Sequence, residues 1–200
     1  MNSIYLDTTK NMTIGLLDAE FKWIKLQVFE ESKSTENLHI QLLQMLKEIG
    51  LGLEDITNLI TAAGPGSYTG MRVSEGIAQI FNWQGFKTYS FYHFQVPQLL
   101  QKENYVFMCK AFKGEFFLKD PYKEELLSLS DLPRVVAEYK ERGFELFSHY
   151  PDKDFLNFSF TSDIISKQSV ALFTQVLKEN MLQGPFYFRP LEKEFKVTNA

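Results

Sequence analysis

Short apolar runs separated by compact polar turns open the chain. Ile4-Tyr5-Leu6 ends at the turn cluster Asp7–Asn11, and Met12–Leu17 ends at Asp18-Ala19-Glu20. Phe21–Phe29 then alternates in part, with Trp23, Lys25 and Gln27 on one face and Ile24, Leu26 and Val28 on the other. Runs this short, joined this tightly, predict an antiparallel meander. A helical period follows. Leu38, Leu42, Met45, Leu46 and Ile49 make one apolar stripe, with Ser34 or Thr35 to cap it, Glu36 in its first turn and Gly50 at its end. Ile40 and Leu43 fall on the far side of that stripe, where they are either tolerated surface residues or part of a partner surface. His39, beside the stripe, is expected to be partly buried and hydrogen-bonded.

Asn58–Ala63 reads as a buried strand running into Gly64-Pro65-Gly66-Ser67-Tyr68-Thr69-Gly70 and a helix from about Met71 to Trp83. The core stripe of this second helix is Val73, Ile77, Ile80 and Phe81. Beside it Gly70, Ser74 and Ala78 form a ridge of small side chains that admits a close neighbour, either the protein's own sheet or a helix of another subunit. Phe86–Phe91 is strand-like, and His93–Lys102 is a short helix interrupted by Pro97. A second unit then repeats the theme. Tyr105–Ala111, Phe116–Lys119, Leu126–Leu129 and Phe144–Phe147 read as strands, Leu132–Arg142 as a helix, and Ser162–Asn180 as a last helix with Ile165, Val170, Phe173, Val176 and Leu177 available for burial. The pattern predicts an α/β protein of two similar lobes, residues 1–102 and 103–200.

Composition narrows the class. The 200 residues include 19 Phe, enough for a generous aromatic core, and no apolar run approaches the length of a membrane span. The opening residues lack a basic, then apolar, secretory pattern, and the single Cys109 fits a reducing compartment, so a cytoplasmic protein is expected. A formal net charge of −4 with no dense Lys/Arg cluster argues against a primary nucleic-acid grip.

The glycine loop is the most informative local feature. Its third glycine stands one place late for a dinucleotide fingerprint, Pro65 removes an N–H from any phosphate cradle, and no Lys follows Gly70 as a P-loop requires. Ser67 lacks the flanking glycines of a nucleophile elbow. What remains is a tight connection in which Gly64, Pro65, Gly66, Ser67 and Gly70 serve backbone packing. His39, His93 and His149 have no metal-ligand spacing, so neither a metal nor a catalytic residue is expected. Asp7, Thr8 and Thr9 could hold a phosphate through carboxylate, hydroxyls and turn N–H groups, or satisfy only their own backbone.

Taken together, these pieces resemble one family. GPGSYTGMRV, from Gly64 to Val73, closely resembles the GPGSFTGLRI signature of TsaB (YeaZ) proteins. Ile4-Tyr-Leu-Asp-Thr-Thr9 resembles that family's ILAIDTS start, Pro185-Phe-Tyr-Phe-Arg189 its P-x-Y-L-R, and Lys110–Phe117 its DAR-x-x-E-V-Y strand pair. Lys110 and Phe112 stand where the family has Asp and Arg, which marks a divergent second lobe. The resemblance implies a two-lobed actin-like/Hsp70-like ATPase (ASKHA) fold, with Asp7, Thr8 and Thr9 as a remnant phosphate loop and no cofactor. It implies a non-catalytic scaffold that pairs with TsaD, which carries metal and catalysis and transfers threonylcarbamoyl to the adenosine beside the tRNA anticodon, while the ATPase TsaE docks on the pair. The TsaD surface would comprise Ile40, Leu43, Met71, Arg72, Ser74, Glu75 and Ala78, with tRNA met only through the complex and no membrane involved. Isolated chains could pair with themselves through the same surface. Two other readings stand beside it: an ASKHA ATPase or kinase acting alone, using Asp7, Thr8 and the glycine loop, and a homodimeric interaction module unrelated to tRNA.

Overall fold

The computed structural model describes residues 2–30 and 37–189. The first sheet contains β1 (Asn2–Asp7), β2 (Met12–Leu17), β3 (Trp23–Phe29), β4 (Ile56–Ala62) and β5 (Lys87–Phe91), in the order β3-β2-β1-β4-β5. The meander β1-β2-β3 is antiparallel, as the short turns require, while β4 and β5 add parallel strands through helical crossovers. The second sheet contains β6 (Tyr105–Lys110), β7 (Phe116–Lys119), β8 (Glu124–Leu127), β9 (Glu145–Ser148) and β10 (Ser159–Phe160), in the order β10-β9-β6-β7-β8. Counted within its own half, each sheet runs third, second, first, fourth, fifth, with the same pattern of antiparallel and parallel neighbours. The two lobes are one topology used twice.

Helices α1 (Leu38–Glu48) and α2 (Tyr68–Trp83) cover one face of the first sheet. The α1 stripe is buried through Leu38, Leu42, Met45 and Leu46, and Gly50 ends the helix at a φ of 71°. The caps expected at Ser34 or Thr35, and Glu36, lie outside the described residues. On α2, Val73, Ile77 and Phe81 pack on the core, but Ile80 is 53% exposed. The i, i+3 step from Ile77 carries it past the edge of the stripe. His39 is exposed rather than partly buried.

The opposite face of the first sheet is covered from the second half of the chain. The single helix expected over 162–180 is two, α5 (Thr161–Lys167) and α6 (Ser169–Lys178), broken at Gln168. Leu172, Phe173 and Val176 of α6 pack with Tyr5, Leu17, Ile60 and Phe91 of the first sheet, while Val170 is 42% exposed. In return, Phe94, between β5 and the short helix α3 (Val96–Leu99), packs into the second lobe against Phe107, Phe117 and Phe147. Helix α4 (Leu132–Glu141) covers the outer face of the second sheet with Leu132, Val135 and Tyr139. The partition at residue 102 therefore separates the sheets but not the cores.

A register shift in β3 corrects the expected faces of that strand. Leu16 pairs with Lys25 and Leu17 with Trp23, which leaves Ile24 as an extra residue. Trp23 thereby turns away from Lys25 and Gln27 and onto the α6 face, where it meets Tyr5 and Phe173 edge-on. No helix among the described residues is long and apolar enough to cross a membrane.

Candidate functional site

The turn after β1 carries Asp7, Thr8 and Thr9, all at most 2% exposed. Their polar atoms are satisfied within the chain. Asp7 Oδ1 accepts the Thr9 N–H at 2.9 Å and the Thr9 hydroxyl at 2.7 Å. Asp7 Oδ2 accepts the Tyr150 hydroxyl at 2.8 Å, lies 3.1 Å from His93 Nε2, and meets the Tyr5 hydroxyl at 3.4 Å. On the other side of the ring, His93 Nδ1 is 2.8 Å from the Thr161 hydroxyl. Asp7 and Thr9 come from the first lobe, Tyr150 follows β9 in the second, and Thr161 opens α5. The turn itself, His93 and Tyr150 thus converge on one carboxylate, and Thr161 holds the far side of the His93 ring.

Electrostatics hold this node in one state. Burial by itself pushes the Asp7 carboxyl up, but the charge and hydrogen bond of His93 and both bonds from Thr9 outweigh it and hold the pKa at about 2. Burial, then the Asp7 charge, push the Tyr5 and Tyr150 hydroxyls well above their ordinary values, so both remain donors. His149 stacks edge-on against His93 at 5.3 Å. Burial, then the charge of His93, lower its pKa to about 3 against a hydrogen bond to the Pro65 carbonyl, so the ring is neutral.

Thr8 and Thr9 fasten the turn to α2. The Thr8 hydroxyl donates to the Gly70 carbonyl at 2.6 Å and lies 2.7 Å from Ser74 Oγ, while the Ser67 N–H donates to the Thr9 carbonyl at 2.6 Å. A Cβ on Gly66 would sit 2.2 Å from the Thr9 carbonyl oxygen, and one on Gly70 only 1.8 Å from that of Thr8. The glycines are there so that two backbones can touch. Ser67 caps α2 by accepting the Gly70 N–H at 3.2 Å, and the Gly64–Pro65 bond is cis.

This contact corrects part of the expected partner surface. Met71 and Ser74 are 3% and 2% exposed and face the chain's own interior, and the ridge of Gly70 and Ser74 packs on the Thr8 turn instead of a second subunit. Ala78 is half-buried in a groove of about 260 Å³ between α2, the ends of β4 and β5, and residues 182–185. Arg72 pairs with Glu75 at 2.7 Å and lies over the Tyr68 and Tyr187 rings. Ile40 and Leu43 are 51% and 53% exposed, and the surface of α2 adds two residues that the sequence reading passed over or buried, Trp83 at 85% and Ile80.

The sequence-level motifs of the second half also meet. Arg189 contacts both carboxylate oxygens of Glu115 at 2.5 Å. Lys110 is held by Asp152 and Asp154, each at 2.8 Å, and Phe112 is half-exposed beside a cavity of about 490 Å³ bounded by the first turn of α2 and Phe186–Phe188. No group of three or more metal-binding side chains occurs among the described residues.

The doubled five-stranded topology decides the comparison with solved structures. The chain has the YeaZ fold. A structure described as an uncharacterized protein with similarity to peptidase YeaZ, from Pseudomonas aeruginosa, matches at a TM-score of 0.64 over 94% of this chain and 99% of that one, with 15% identity. A second, YeaZ from Pseudomonas aeruginosa, matches at 0.50 over 64% and 69%, with 16% identity. No family model matches the sequence, and no curated protein does. The similarity is therefore one of architecture, two mixed five-stranded sheets with flanking helices in a YeaZ-like arrangement along nearly the whole chain.

His93, Tyr150 and Thr161 were missed by the sequence reading. They carry no mutual spacing: His93 follows β5, Tyr150 follows β9 and Thr161 follows β10, and the parallel pairings of β1 with β4, β4 with β5 and β9 with β10 bring those strand ends together.

Proposed function

We propose that this chain is a non-catalytic scaffold that docks TsaD through α1 and α2 and so supports threonylcarbamoylation of the adenosine next to the tRNA anticodon, with TsaE docking on the pair. The observation that carries the reading is the outward face of two helices lying on one side of the first sheet. Ile40 and Leu43 on α1 and Ile80 and Trp83 on α2 are each at least half-exposed. Such side chains are natural anchors for a helical partner, with the Arg72–Glu75 pair at the rim. The sealed state of Asp7 favours a scaffold over an ATPase or kinase acting alone: the carboxylate that would face a metal or phosphate in that fold is already bound by five donor groups of the chain itself.

The test is co-purification with TsaD. Leu43→Glu combined with Trp83→Glu is expected to abolish the complex while leaving the far-UV circular dichroism of the isolated chain unchanged, because both residues are on the surface. In a reconstituted reaction, omitting this chain should reduce threonylcarbamoyladenosine to background. An undiminished complex with the double variant would overturn the docking surface, and product formation by this chain without TsaD would overturn the scaffold role.

A further inference from the structure

We propose that the joint between the two lobes is fixed, so that the molecule moves as one body. Three independent crossings carry this. The first is the Asp7 node, where a fully buried carboxylate of the first lobe accepts the Tyr150 hydroxyl of the second at 2.8 Å. Separating the pair would strip a donor from a buried charged group. His93 backs the same carboxylate and reaches across it to Thr161, so the node is gripped from both flanks.

The second crossing is an exchange of core side chains. Phe173, after the second sheet in the chain, packs among Tyr5, Trp23 and Phe91 of the first. Phe94, before the second sheet, packs against Phe107 and Phe117 within it. Beside Phe173 two further bonds tie the α5–α6 pair down, Trp23 Nε1 donating to the Ser166 carbonyl at 2.8 Å and Ser169 Oγ donating to the Phe21 carbonyl at 2.7 Å. The third crossing is the segment after α6. The Phe186 N–H donates to the Ala63 carbonyl of the first lobe at 2.9 Å, while the Phe186 ring meets Phe94 and Phe117 and Arg189 holds Glu115 of the second. A hinge works where few contacts cross it. Here the Asp7 node and the exchanged Phe94 and Phe173 side chains are buried, and hydrogen bonds at both ends of the joint add to them.

Cys109 supplies the probe, because it is fully buried in the Phe94–Phe107–Phe117–Phe147 cluster at the joint. The full-length chain is labelled with a soluble disulfide reagent across a urea series, and global unfolding is followed by circular dichroism. A fixed joint predicts that labelling rises with urea at the slope of global unfolding, since only complete opening exposes the thiol. Labelling that is insensitive to urea below the unfolding transition would overturn the proposal, because it requires a small, local opening. Tyr150→Phe should raise the labelling rate roughly ten- to a hundredfold, the loss of one hydrogen bond to a charged group, and weaken global stability by the same factor. An increase in labelling without that equal loss of stability would again overturn it. If Tyr150→Phe does not fold, Thr161→Val carries the same two outcomes.

Discussion

At the scale of single residues, His149 and Asp7 are two buried groups whose lowered pKa ties stability to pH. His149 has an ordinary pKa of 6.5 and a folded value of about 3, so as pH falls the unfolded chain gains this proton first. Stability present above pH 6.5 is lost progressively toward pH 3, at up to about 1.4 kcal/mol per pH unit for one proton. Asp7, with its pKa lowered from 3.8 to about 2, adds a further loss over that lower interval. Urea denaturation at stepped pH is expected to show this decline from neutrality downward, and His149→Phe to flatten it between pH 6.5 and 4. A decline of unchanged steepness in the variant would assign the acid sensitivity to other groups. Asp7 was recognisable in the sequence as a polar residue closing an apolar run. Thr9 stands beside it in the same turn, but His93 and Tyr150 are dozens of positions away, and nothing in the sequence pairs them with it.

At the scale of elements, amphipathic period located most of the helices and strands, and local chemistry placed their ends. The buried stripe of α1 and the Gly50 stop follow directly from spacing and positive φ. Errors arose where an element answers to a neighbour. The extra residue in β3 rotates Trp23 toward α6, and the alternation of the strand alone does not reveal the shift. The two-residue β10 owes its existence to the adjacent β9, with no apolar run of its own length to announce it. Helix α2 shows the converse. Its glycine-rich entry reads from sequence as a tight connection made for backbone packing, and the backbone it packs on, that of Thr8 and Thr9, is supplied from far along the chain. Gly70→Ala is expected to destabilise the fold by roughly 2–3 kcal/mol, because a Cβ cannot occupy a site 1.8 Å from a carbonyl oxygen without shifting the helix. Thermal or urea unfolding of the variant measures this, and a change under about 0.5 kcal/mol, the scale of an ordinary surface substitution, would show that the turn and helix can separate freely.

At the scale of the whole molecule, the division into lobes is topological while stability is shared. Residues 1–102 contain every strand of the first sheet but lack Ile165, Leu172, Phe173 and Val176, which cover one of its faces. That fragment, expressed alone, is expected to remain unfolded or to aggregate, checked by circular dichroism and amide dispersion in solution. A well-dispersed monomeric fragment would contradict the shared core. The sequence by itself determined the alternation of strands and helices, the repetition of the lobe, the outward position of Ile40 and Leu43, and the resemblance of the glycine loop, because all of these are written in local periodicity and short motifs. Only the tertiary structure decided that Ser74 faces inward, that Trp83 faces outward, and that Asp7 is enclosed by Tyr150 and His93. Those outcomes depend on which distant loops the parallel strand pairings bring together, and a linear pattern of apolar and polar positions carries no information about that meeting.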